Sequence, residues 1–145
     1  LDTNDVVTAW VPAQPTPLEM GPLSFAYPLN VHKLVNAVTF EKTGTGYDRG
    51  ISDIFAKNNV SVNETPFELG EVSFHHNLNF HTASSNRTNR SRIALANTYY
   101  RDGARVVNSP TMVSGDWQKF MPNVKPGDVA ASPLNPICWP VKDKS

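Results

Sequence analysis

Apolar and polar residues in this chain fall into short stretches, each closed by proline or glycine. The first, Val6-Val7-Thr8-Ala9-Trp10-Val11-Pro12, is apolar and β-prone and predicts a buried strand ended by its proline. Pro15, Pro17, Gly21 and Pro22 mark a connection, after which Leu23-Ser24-Phe25-Ala26-Tyr27 alternates and predicts a second strand. Residues 29–58 are mixed: Gly44, Gly46 and Gly50 predict a loop in the middle, and Ile51 to Asn58 predicts one short helix. Pro66-Phe67-Glu68-Leu69 leads into a turn at Gly70-Glu71.

The clearest pattern follows that turn. Val72, Phe74, His76, Leu78 and Phe80 alternate with Ser73, His75, Asn77, Asn79 and His81, and a period of two predicts a strand. If unbroken, that strand puts His75 and His81 on one face and His76 on the other; a turn near Asn77 would undo the inference. Residues 82–91 predict a polar loop, Arg92 to Tyr100 the next strand, and the prolines beyond Met121 an irregular tail. Short strands joined by turns make an all-β fold with a minor helix the expectation.

Composition narrows the possibilities. At 145 residues the chain is expected to form a single domain spanning 1–145. Thirteen basic side chains balance thirteen acidic ones, which argues against nucleic acid or a membrane surface as partner. No stretch approaches the roughly 18 apolar residues of a membrane-spanning helix. The start, Leu1-Asp2-Thr3-Asn4-Asp5, is polar and acidic rather than signal-like, so the expected location is cytoplasmic. The single cysteine, Cys138, excludes an internal disulfide framework and a multi-thiolate metal site, and beside Trp139 and Pro140 it reads as a packed thiol.

Two groups could carry chemistry. His75, His76 and His81 lie within seven residues. Neutral imidazole is the commonest metal ligand and a strand holds it rigidly, although histidines on a half-buried strand also serve as plain hydrogen-bonding groups. Arg92 opens an apolar strand just after the polar loop. Its planar, permanently charged fork suits a ligand carboxylate; the simpler reading is a surface ion pair. Ser84, Ser85, Asn86 and Thr88 add donors nearby, and Trp10 reads as core from its pattern. Thr43-Gly44-Thr45-Gly46 lacks the Lys-Ser/Thr ending of a phosphate loop.

Taken together, the segment from Gly70 to Tyr100, GEVSFHHNLNFHTASSNRTNRSRIALANTYY, resembles the signature of the phytanoyl-CoA dioxygenase family of Fe(II)/2-oxoglutarate-dependent oxygenases. His81 matches the distal iron ligand. Arg92, eleven residues on, matches the arginine that binds the far carboxylate of 2-oxoglutarate, and Ala94 the small residue after it. Thr8-Ala9-Trp10-Val11 resembles the strand that follows the family's iron-binding His-x-Asp. Gly21 to His32-Lys33 resembles a Gly-rich run ending in Gly-Ser-His-Lys, and MPNVKPGDVAASPLNP resembles the C-terminal part of some bacterial members.

The resemblance implies a double-stranded β-helix, or jelly roll. It implies Fe(II) held by two histidines and a carboxylate, 2-oxoglutarate as co-substrate, and hydroxylation of a small organic molecule. It assigns His81 to the metal, Arg92, Trp10, Asn86 and Thr88 to 2-oxoglutarate, and His75 and His76 to the pocket. Three departures stand out. None of His32, His75, His76 and His81 is followed two places later by Asp or Glu, so the family's His-x-Asp would fall upstream of Leu1. Ala83 stands where the family often has Ser, and Asn30-Val31 replaces Gly-Ser. The expectation is therefore the C-terminal part of an N-terminally incomplete jelly roll, whose full-length parent binds Fe(II) and 2-oxoglutarate while this chain alone need bind neither. The alternative is a non-catalytic jelly-roll module that binds a small carboxylate or a partner subunit. A barrel short of strands exposes edges, so a homodimer is expected.

Overall fold

The computed structural model describes residues 1–35, 45–108 and 117–139. The chain forms two compact units, one of Val6–Tyr99 and one of Leu1–Asp5 with Tyr100–Ser145. The larger unit is built on six strands: β1 (Val6–Pro12), β2 (Leu23–Tyr27), β3 (Ser61–Glu64), β4 (Ser73–His76), β5 (His81–Ala83) and β6 (Ala94–Tyr100). They make two three-stranded sheets, in the orders β4-β1-β6 and β3-β2-β5. A helix, α1 (Gly46–Lys57), precedes β3.

The all-β expectation with a minor helix holds, and β1 and β2 lie where alternation put them. The long strand expected over residues 72–81 does not. It breaks at a turn over Asn77–Asn79, closed by the Asn79 amide donating to the His76 carbonyl at 2.9 Å and the Leu78 amide donating to His76 Nδ1 at 3.1 Å. The two asparagines are strong turn formers that happen to fall on the polar beat of the alternation, so the period survives while the backbone changes course. β4 pairs antiparallel with β1, setting Thr8 opposite His75. β5 pairs antiparallel with β2, setting Phe25 opposite His81 and Leu23 opposite Ala83. The chain thus leaves one sheet and enters the other within five residues, from His76 to His81.

The helix begins earlier than Ile51. Gly46 and Gly50 sit inside its first two turns, where the loop expected from them is overridden, while Gly44 lies outside the described residues. Tertiary packing supplies the reason. Ile51, Ile54 and Phe55 share a helix face by their i, i+3, i+4 spacing and pack against buried Ala26, Val31 and Val35, together with Val60 and Phe80. Such packing outweighs the helix cost of a glycine, about 1 kcal/mol each. β3 has no alternating signature; it forms because β2 offers it a partner, Ser24 to Tyr27 opposite Glu64 to Ser61.

β1 ends into a turn of 3-10 helix at Leu18–Met20, closed by Gly21 in the left-handed region at φ 69°. A Cβ built on Gly21 would run into the Ser84 carbonyl, its carbon only 2.7 Å away. Only glycine serves both constraints. β6 carries Leu95 and Tyr99 exposed to solvent.

In the smaller unit the Arg105 amide donates to Asp2 Oδ1 at 2.8 Å, and Arg101 pairs with Asp5 at 3.6 Å. Arg105 bridges Val129, and Ala104, Val106 and Ala130 are buried. The described tail has no strand, as its prolines predicted, and Cys138 is exposed rather than packed. No helix among the described residues is long and apolar enough to cross a membrane.

Gly21→Ala is expected to cost at least about 1–2 kcal/mol from the left-handed backbone alone, before the overlap with Ser84. In urea denaturation this would appear as a lower midpoint with an unchanged slope; a midpoint equal to the parent's would refute the constraint.

Candidate functional site

Three rings meet between the two sheets. Phe25 on β2 and His81 on β5 are cross-strand partners, with ring centroids 6.2 Å apart. His75, from β4 in the other sheet, lies 5.3 Å from Phe25 and 4.6 Å from His81. His75 and His81 are therefore together, but not through the strand parity from which that was expected: the unbroken strand does not exist, and the two rings come from different sheets. Face-to-face placement of two sheets restores what the turn at Asn77–Asn79 would have destroyed.

The two imidazoles are held differently. His81 is exposed, and its Nδ1 lies 2.9 Å from the Asn79 carbonyl. A carbonyl oxygen only accepts, so Nδ1 carries the proton, and in the neutral ring Nε2 then holds the lone pair a metal ligand requires. His75 is buried, with Nδ1 3.3 Å from Ser73 Oγ. Burial, and then the neighbouring His81, hold its pKa below the usual histidine value. The Asn79 side-chain oxygen is buried with no partner among the described residues.

Arg92 lies at the end of the ladder formed by β2 and β5. Its Nη1 donates to the Gly21 carbonyl, and lies 3.4 Å from those of Met20 and Ser84. No carboxylate pairs with it among the described residues, so the surface ion pair weighed from the sequence is not what holds it. The guanidinium has five N–H donors, and the carbonyls engage only Nη1, which leaves the Nε/Nη2 edge for a forked acceptor. Ser84 is three residues beyond His81, roughly 10 Å of extended chain. Cation and imidazole thus sit at two rungs of one strand pair.

The remaining sequence candidates are placed as follows. Asn86 and Thr88 spend their polar atoms on their own loop: Asn86 Nδ2 donates to the Arg90 carbonyl at 2.6 Å, and the Thr88 amide and hydroxyl donate to Asn86 Oδ1 at 2.9 and 2.7 Å. Trp10 packs edge-on against Phe67, centroids 5.0 Å apart. His76 is exposed and caps the turn instead of joining the ring cluster. Sequence reasoning missed Gly21 and Phe25 as parts of the site, and offered Ser84 as a donor where its backbone carbonyl is what meets Arg92. Gly21's place before Pro22 signals a turn, but nothing in the sequence says that Arg92 would reach it.

Among the described residues no group of three His, Cys, Asp or Glu side chains is placed to hold a metal together.

No protein-family model matches the chain, and no curated protein matches it. Solved structures do. The chain is similar to the non-heme alpha ketoglutarate dependent carbocyclase SnoK from nogalamycin biosynthesis, at 24% identity and a TM-score of 0.62, over 89% of this chain and 47% of that one. It is also similar to the epimerase SnoN in complex with Fe3+, alpha ketoglutarate and nogalamycin RO, at 23% identity and a TM-score of 0.52, over 72% of this chain and 39% of that one. The chain thus spans less than half the length of either. The likeness shows the fold, the jelly roll of 2-oxoglutarate (alpha ketoglutarate) oxygenases.

The lowered pKa of His75 makes stability pH-dependent. The unfolded chain takes up this proton near pH 6.5 and the folded chain only at lower pH. Stability from this residue is full above pH 6.5 and declines as pH falls from there through the folded value. Urea midpoints measured between pH 7.5 and 5 should fall, and His75→Phe should flatten that fall; an equally steep decline in the variant would refute it.

Proposed function

We propose that this chain is the C-terminal part of a non-haem Fe(II)/2-oxoglutarate-dependent oxygenase of the phytanoyl-CoA dioxygenase type, which hydroxylates a small organic substrate. The observation that carries the reading is Arg92: a guanidinium seated on backbone carbonyls, unpaired with any described carboxylate, at one end of the strand pair that carries His81, three residues before Ser84 and with Nδ1 held by Asn79. The jelly-roll likeness to SnoK and to SnoN supports the scaffold. Their names are those of a carbocyclase and an epimerase, so hydroxylation rests on the likeness of Gly70–Tyr100 to the oxygenase signature.

The donor set fits the two cofactors. His81 offers an imidazole nitrogen whose tautomer is fixed by Asn79, and Arg92 offers a planar fork for a carboxylate. When bound, Fe(II) and 2-oxoglutarate supply the oxidising power that breaks a substrate C–H bond with O2. The chain's own part is placement. Arg92 fixes the far end of the dicarboxylate. His81 supplies one ligand. Phe25 and His75 close the inner side with ring surface and keep water from the reacting centre. Asn86 and Thr88 hold the loop that lies between His81 and Arg92. The remaining iron ligands would come from residues outside those described.

The test is calorimetric titration of the chain with 2-oxoglutarate, with and without Fe(II) under anaerobic conditions. Arg92→Ala should weaken binding about ten- to a hundredfold, the range of a charge-assisted forked bond, and Arg92→Lys should recover only part of it. Unchanged affinity in Arg92→Ala sinks the assignment of that residue. Affinity indifferent both to Fe(II) and to His81→Ala would favour the other reading, a carboxylate-binding module without redox chemistry.

A further inference from the structure

His75 is the one titratable side chain among the described residues that the fold buries almost completely, at 6% exposure. The oxygenase reading gives it only the role of a wall. Its surroundings suggest more. It reaches from β4 across to the opposite sheet, where its ring lies 4.6 Å from His81 and 5.3 Å from Phe25. Its own Nδ1 is steadied by Ser73 Oγ at 3.3 Å. His81, by contrast, is exposed and sits on the three-residue strand β5, with one 2.9 Å hydrogen bond to Asn79 to fix its ring. Rotation of that ring about its Cβ–Cγ bond would break the bond and release the other tautomer. A buried ring tilted 50° to its face opposes the rotation.

We propose that His75 is a positioning residue: its ring, backed by Phe25, locks the His81 imidazole in the orientation and Nδ1–H tautomer that leave Nε2 free to bind a metal ion. The role is one of shape. It requires a flat, buried ring at position 75 and not a nitrogen. The use of Nε2 rests on the reading of His81 as a metal ligand; the locking of the ring does not.

The test separates the two. Long-range 1H–15N NMR of the 15N-labelled 145-residue chain at neutral pH reads the tautomer of each histidine with no metal present. His81 is expected almost wholly in the Nδ1–H form, mixed in His75→Ala, and restored in His75→Phe. Should His75→Ala fail to fold, His75→Leu takes its place, filling the volume without a flat ring. Mn(II) affinity, measured by titration, should follow the same order, with a loss of about tenfold in the ring-less variant and near-parental binding in His75→Phe. An unchanged His81 tautomer in the ring-less variant overturns the proposal, and so does a His75→Phe that behaves like His75→Ala, since His75 would then act through its nitrogen. If the parent chain binds no Mn(II) yet the tautomers move as expected, the positioning role stands and the metal-ligand reading fails.

Discussion

One guanidinium joins parts of the chain that are far apart in sequence. Arg92 leaves the entrance of β6 and seats Nη1 among the carbonyls of Met20, Gly21 and Ser84. Uncharged bonds reinforce the junction: Gln14 donates to the Ser91 carbonyl at 2.7 Å, the Ala13 amide to Ile93 at 3.0 Å, and the Arg87 amide to Glu19 at 2.9 Å. The ends of β1 and β5 and the start of β2 are thereby fixed against the start of β6. A cation surrounded only by dipoles is solvated but not neutralised. The same contact that aligns the strands leaves a positive site that an anion can complete.

Much of the scaffold was legible because most elements obey a local rule. β1 and β2 follow apolar patterning, and Gly70, at φ 95°, makes the turn expected of it, with the Glu68 amide donating to the Glu71 carboxylate at 2.7 Å. The failures have a common cause. The helix over Gly46–Lys57 and the strand Ser61–Glu64 are selected by what they pack or pair against, and a reading of local sequence does not see the partner. The break at Asn77–Asn79 was hidden because both asparagines obey the alternation they interrupt.

The site divides along the same line. His81 and Arg92 were singled out by residue type and by their spacing in the signature the sequence resembles. Gly21 was not, and Ser84 was taken for a donor, since the part each backbone carbonyl plays arises only where the 3-10 turn meets the end of β5. Asn86 and Thr88 were chosen as donors for a ligand, yet Asn and Thr in a tight loop first satisfy that loop's own backbone. The nearness of His75 and His81 comes from rings of two sheets meeting, not from parity along one strand, which ends at the turn over Asn77–Asn79.

The crossing between His76 and His81 also bears on how such a chain can drift in length. β4 takes its register from β1 and β5 from β2, so nothing in either ladder records how many residues lie between them. Adding or removing a single residue at the turn would be absorbed either by a looser turn or by a one-step slip, and the slip turns His81 away from Phe25. Two residues would restore parity but carry His81 off the Phe25 rung. The loop at 84–92 also joins two ladders, β5 on β2 and β6 on β1, but it is long enough to take up an added residue without moving either strand. Over descent, insertions and deletions should therefore collect in that polar loop and avoid the three-residue turn.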